Sequence, residues 1–316
     1  MIPSFVVLVA LTDKIRVEKL ARVAAALQCQ VTRDFAPVWH ANAVISAASI
    51  EAIPAGYVPV IIHDTLEAEG VNGFHRTHGD DTAYIMVPYG PNWPLAVSHE
   101  LLRMLADPTG SLRQPGPSRM SGQGTVEYVV DVCSPCQHVA AAYAIDGVPV
   151  SDFCTPGFFG IGGSGCSFTG SVREAFDPAP AGVVTWLADD GLLYQARSDA
   201  QSRTRVHGGF SMANRGRLLL REHVDLLTPD RLVLLSNAPR TARLLDAEQI
   251  ARRSRFGNLT RFRDDIAWRF GHASLPVTEE EPRHEAARVK TYATRAIKSG
   301  HQPASTELER TLRTAS

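Results

Sequence analysis

A chain of 316 residues, 44% hydrophobic and 21% charged, is long enough for one large core or two smaller ones, and its formal net charge of −1 excludes a general attraction to nucleic acid or anionic membranes. The balance conceals an asymmetry, with 10 Lys/Arg against 17 Asp/Glu in residues 1–180 and 22 against 16 in residues 181–316. An acidic part and a basic part in one chain point to docking between them, or to an acidic site with a basic appendage.

The run Phe5-Val6-Val7-Leu8-Val9-Ala10-Leu11 lacks a basic flank and is too short to span a bilayer, so it predicts a first strand. No other stretch approaches about 18 consecutive apolar residues, and the chain is expected to be soluble and cytoplasmic, with no membrane partner. Residues 13–28 fit an amphipathic helix with Asp13 as N-cap and Ile15, Leu20, Val23, Ala24 and Leu27 on its apolar face. Extended segments are expected at 29–35 and 42–46, and a buried strand at Val58–Asp64. A polar stretch, 65–81, precedes the strand Ala83–Pro88, and a turn at Gly90-Pro91-Asn92 leads into a helix over about 94–106. Pro108 should stop that helix, because the residue before a proline is disfavoured in the α region.

A Gly/Pro/Ser-rich loop is expected over 108–124, then strand-like pieces at Thr125–Val132 and Tyr143–Val150 and a loop over 155–170. Residues 181–195 predict a hairpin around Asp189-Asp190-Gly191. Beyond about 200 the pattern weakens, leaving apolar runs in 217–235, basic helices over 246–270 and a polar tail. The domain reading is 1–190 for the main domain, 191–275 for a smaller, partly helical basic extension and 276–316 for a mobile tail. The fold class expected is α/β, or α+β.

The chemistry concentrates in Ser98-His99-Glu100-Leu101-Leu102-Arg103-Met104-Leu105-Ala106-Asp107-Pro108. In the zinc-peptidase pattern H-E-x-x-H, two His at i and i+4 bind the metal from one helix face and the Glu is general base. Here His99 and Glu100 stand in place, but i+4 is Arg103, which has no lone pair to offer a metal. His99 is therefore a candidate zinc ligand or a buried helix histidine, and Glu100 a candidate general base or the i, i+3 partner of Arg103. Asp107 lies about 12 Å along a continuous helix from His99, and reads better as a turn residue. Asp131 and Asp152, on loops able to fold over the helix, are the remaining candidate ligands. Arg103 is either a plain salt-bridging residue or a fixed positive charge standing where a related protein holds a metal, paired with Asp131 or Asp152.

Five cysteines without an export signal point to reduced thiols. Cys133, Cys136, Cys154 and Cys166 are candidate structural thiols, as a Cys₄ zinc site, a redox C-x-x-C or simply buried cysteines. His63, His75 and His78 form a less specific group in the acidic part, and Gly162-Gly163-Ser164-Gly165 lacks the Lys or helix start of a phosphate cradle. Arg252-Arg253-Ser254-Arg255-Phe256, Arg261-Phe262-Arg263 and Trp268-Arg269-Phe270 mix cations with aromatics. Docking on the acidic part accounts for them better than nucleic acid does.

The sequence also resembles a group of bacterial and phage-encoded, zincin-like metallopeptidase-related proteins. The resemblance rests on Gln30–Trp39, Ser98–Pro108, Tyr128–Cys136 and Gly147–Pro156, and covers roughly residues 1–190. It implies a zincin-like sheet-and-helix domain in which the strand before the metal helix, here 82–88, lies near the sheet edge and holds a peptide by strand addition. The group's pattern has Glu at the position of Arg103 and Asp at that of Ser134. Two readings follow. One is a metallopeptidase-like zinc hydrolase acting on a peptide or protein. The other is a pseudoenzyme, a binding or structural protein that keeps the fold and holds no metal. A nucleic-acid-associated role through the basic segment is a third.

Overall fold

The computed structural model describes residues 4–227 apart from 55, 65–73, 78–82, 163–164, 200 and 213–219. Its first unit is a five-stranded sheet built from β1 (Ser4–Ala10), β2 (Ala43–Ala47), β3 (Val58–His63), β4 (Phe74–Thr77) and β5 (Ala83–Pro88). The order is β2-β1-β3-β5-β4, with β2, β1, β3 and β5 parallel and β4 antiparallel at the edge. Parallel strands covered on both faces need no polar alternation, which is why Val6, Val7, Leu8 and Val9 are all fully buried. Val6 and Leu8 face the main core, whereas Val7 and Val9 pack with Ile53 on the opposite face.

Helix α1 spans Val17–Cys29 and buries Leu20, Val23, Ala24 and Leu27 at the 3.6-residue spacing expected. Its start differs from the sequence reading. Asp13 is not the cap; Arg16 holds that position and makes no side-chain cap bond. The extended segment expected at 29–35 is helical instead. The chain passes through a π-helical stretch, Gln30–Phe35, into the short helix α2, Ala36–Trp39. Val31 and Phe35, four apart, are both fully buried, and that burial outweighs the strand preference of Val31-Thr32.

Helix α3, Trp93–Ala106, follows β5 and has every residue from Trp93 to Leu105 buried. Pro94 falls in its first turn, where no intrahelical N–H is lost. Asp107 leaves helical geometry at φ −138°, ahead of Pro108, as the sequence requires.

A second sheet, order β12-β11-β10-β7-β6, comprises β6 (Arg113–Pro117), β7 (Thr125–Val129), β10 (Val183–Leu187), β11 (Leu192–Ser198) and β12 (Thr204–Ser211), all paired antiparallel. Between β7 and β10 lies the hairpin of β8 (Tyr143–Ile145) and β9 (Val148–Val150). Its turn, Asp146-Gly147, has φ of +50° and +75°, the two left-handed residues of a tight primed turn. The last described element is helix α4, Leu220–Leu227. Parallel and antiparallel sheets with few helices make the fold mixed α/β, of the α+β kind at this level.

Three strands escaped the sequence reading, and all are edges or beside loops. β4 interrupts the polar stretch 65–81, β6 carries Pro115 and Pro117 within the expected loop, and β12 is largely exposed. An edge strand shows little burial pattern and tolerates proline. β4 also changes the peptide-edge expectation, because residues 83–88 are flanked by β3 and β4 and have no open side. The line drawn at 190/191 falls between two paired strands of one sheet, β10 and β11. Residues 246–270 and the tail lie outside the described residues. Among the described residues no helix is long and apolar enough to cross a membrane.

At the end of β3, Asp64 accepts a hydrogen bond from the Thr12 hydroxyl at 2.6 Å and pairs with Lys14 at 2.9 Å. Burial pushes the carboxyl up, but the Thr12 and Lys14 contacts outweigh it and hold it below the ordinary value. A depressed folded-state pKa gives stability that is full above the unfolded value, about pH 4, and is lost as pH falls through the folded one. Asp64→Asn should therefore weaken the dependence of the unfolding midpoint on pH below about 4, measured by urea titration; an unchanged slope would refute it.

Candidate functional site

Because α3 is enclosed on all sides, its polar side chains must find partners inside the protein. Ser98 donates to Gln30 Oε1 at 2.7 Å and accepts the Ser151 amide at 2.8 Å. Gln30 in turn donates to the Ser151 carbonyl and to the Tyr143 hydroxyl, which donates to Asp34. This chain of bonds ties the π-helical stretch, α3 and the β8–β9 hairpin together. Burial pushes the Tyr143 hydroxyl's pKa up, so it stays protonated as that donor.

The next residues on α3 form the charged site. His99, Glu100 and Arg103 are at most 1% exposed. Arg103 Nη1 donates to both Glu100 oxygens, at 2.9 and 3.0 Å. Arg103 Nε lies 3.4 Å from Asp131 Oδ2. His99 Nε2 is 4.0 Å from Glu100 Oε1. Arg103 thus stands between Glu100 and Asp131, within ion-pair distance of each.

Asp131 reaches α3 because β7 ends at Val129 and the chain turns into a short 3-10 segment, Ser134–Cys136. Its Oδ1 accepts the amides of Cys133 and Ser134, and its Oδ2 the Ser134 hydroxyl at 2.6 Å. The same turn is pinned from the segment leading into β10, where the Pro135 carbonyl accepts the Ala179 amide and a Cβ at Gly182 would collide with it.

The sequence reading did not single out Arg221, which enters from α4 at 1% exposure. Its Nη1 lies 2.8 Å from Asp131 Oδ2 and its Nη2 3.8 Å from Asp107 Oδ2, and Nη2 donates to the Val130 carbonyl. Nothing in Leu220-Arg221-Glu222-His223-Val224 marks it beyond an i, i+4 apolar pair. Asp107 also accepts the Thr109 hydroxyl and the Leu112 amide, the turn role expected of it. The result is three buried carboxylates, Glu100, Asp107 and Asp131, set against two guanidinium groups.

Asp152 has its own set of bonds. Its Oδ1 accepts the Phe153 and Thr169 amides, and its Oδ2 the Thr169 and Ser171 hydroxyls at 2.7 and 2.6 Å. It organises the 167–171 loop.

All five cysteines are free, with Cys133, Cys136 and Cys154 buried and Cys29 and Cys166 partly so. Burial raises the Cys133 and Cys136 thiols well above the ordinary value and Cys154 to about 11, so all three stay protonated at neutral pH and are weak nucleophiles. Among the described residues there is no group of three or more His, Cys, Asp or Glu arranged to hold a metal ion. His75 lies on β4, His63 is buried at the end of β3, and His78, Gly163 and Ser164 lie outside the described residues. Compared with protein-family models, curated proteins and solved structures, the chain finds no match.

Proposed function

We propose that this chain is a zincin-like protein in which an arginine–carboxylate network takes the place of a metal centre, and that it acts as a non-hydrolytic binding or structural protein. The observation that carries the reading is Arg103 set against both oxygens of Glu100 and 3.4 Å from Asp131. A general base needs a lone pair directed at water. Glu100 is 1% exposed and spends both oxygens on a guanidinium.

A zinc ion does not fit this donor set. Glu100, the candidate base, and Asp131, a candidate ligand, already face cations, and Asp131 faces two. A divalent ion brought to the same place meets fixed positive charge. The third candidate ligand, Asp152, accepts bonds from Thr169 and Ser171. The zincin-like part of the reading is supported by the sheet order, with an antiparallel edge strand, β4, beside the strand that leads into the His-Glu helix. An extended peptide added beside β4, the edge strand among the described residues, is the interaction this architecture favours.

Metal analysis of the native protein by mass spectrometry tests the proposal, alongside Arg103→His, which restores the second histidine of the helix pattern. The native protein should carry substoichiometric zinc and show no chelator-sensitive peptide hydrolysis. One zinc per native chain, with hydrolysis lost on chelation, would overturn it.

A further inference from the structure

We infer that α4 is a latch, held over the site by the Arg221 guanidinium and able to open without unfolding the main core. The inference rests on the ion-pair reading of the site above.

Leu220 and Val224, one helical turn apart, are buried in a small apolar cluster with Val129 and Leu193 that is separate from the main core. Arg221 lies between them in sequence and turns inward. Its side chain meets Asp131, Asp107 and the Val130 carbonyl, while its backbone amide donates to the Gly110 carbonyl at 2.8 Å. His223 Nε2, 3.1 Å from the Ser211 carbonyl, adds a contact to the end of β12. Among the described contacts, α4 is thus attached by the buried Arg221 side chain and, on either side of it in sequence, by Leu220 and Val224 in a cluster against which Leu187, Phe210 and Met212 also pack.

Electrostatics couples the plug to the site. With α4 docked, Asp107 and Asp131 share the Arg221 guanidinium and Arg103 serves Glu100 and Asp131. With α4 lifted away, Asp107 and Asp131 lose the Arg221 guanidinium they share, a loss of positive charge beside buried carboxylates that favours entry of water or a solute cation. A soluble guanidinium is the chemical class that matches the position the Arg221 head group would vacate.

Hydrogen exchange on the full chain tests this, using Arg221→Ala with and without millimolar ethylguanidinium. Loss of a buried charge partner should speed exchange at position 221 and at Val224 on the order of a hundredfold, while Val7 and Val9 of β1 stay slow. Ethylguanidinium should restore slow exchange in α4 of the variant and leave the native protein unchanged. Exchange in α4 that is no faster, or that rises equally in β1, overturns the latch. Acceleration confined to α4 but not reversed by ethylguanidinium overturns its assignment to the guanidinium. Should Arg221→Ala fail to fold, Arg221→Lys, which keeps the charge and loses the planar fork, should show a smaller acceleration limited to α4. Zinc in the native protein would defeat the proposed function, whereas these exchange outcomes bear on the latch alone.

Discussion

Replacing Arg103 with alanine should destabilise the protein by about 3–5 kcal/mol, the range for removing one partner of a buried ion pair. The side chain is fully buried, bonds both oxygens of Glu100 and lies within ion-pair reach of Asp131. Its removal leaves Glu100, at 1% exposure, without that guanidinium. The loss comes from stranding charge, not from the net worth of the pair, so the isosteric double replacement Arg103→Met with Glu100→Gln should recover a large part of it. Urea unfolding of the two variants makes the comparison. If Arg103→Ala costs under about 1 kcal/mol, the value of an exposed pair, the buried network described here is wrong.

Asp131→Ala should be at least as damaging, at or above the top of the same range of about 3–5 kcal/mol. Asp131 faces two guanidinium groups and also accepts two amides and one hydroxyl of its own turn. Removing it exposes Arg103 and Arg221 to one another's charge and leaves the Cys133 and Ser134 amides without that acceptor. Against a typical total stability of about 5–15 kcal/mol, such a loss should appear as a sharply lowered melting temperature and poor soluble yield. Asp131→Asn, which keeps an acceptor for the turn and loses the charge, should fall between the variant and the native protein. Arg103→Ala and Asp131→Ala share partners, so their combined cost should be less than the sum of the two, by about 0.5–3 kcal/mol. A strictly additive double variant would show that the two residues are not energetically coupled.

Residues read in sequence and residues met in the structure differ in an instructive way. His99, Glu100 and Arg103 stand out by type and spacing, Asp131 only as one of two loop carboxylates able to fold over the helix, and the Glu100–Arg103 pair follows from i, i+3 geometry on one helix. The sequence could not distinguish a solvated pair from a buried one. That difference came from the packing of α3, whose residues from Trp93 to Leu105 are buried without a break. Asp152 accepts the Thr169 and Ser171 hydroxyls, bonds that no local pattern in the sequence announces. Arg221 lay in a stretch read only as apolar runs, 90 residues beyond Asp131 in the numbering, and no local pattern aims it there.

Local periodicity determined the elements whose burial repeats: the apolar strands β1, β3 and β5, the amphipathic α1, the α3 stop before Pro108 and the hairpin of β10 and β11. Those signals survive in sequence because each depends on neighbours within one or two turns or on strand alternation. Edge strands β4, β6 and β12 and the helical stretch 30–35 were decided by what lies across from them, which no short window contains. The same holds for the site. Sequence placed a histidine, a glutamate and an arginine on one helix and offered Asp131 or Asp152 as the arginine's partner; the tertiary fold set it beside Asp131 and joined Arg221 to it there. The reason is electrostatic. In a buried site each charge needs an opposite charge or hydrogen bonds close by, and here that partner is supplied by segments distant in the chain.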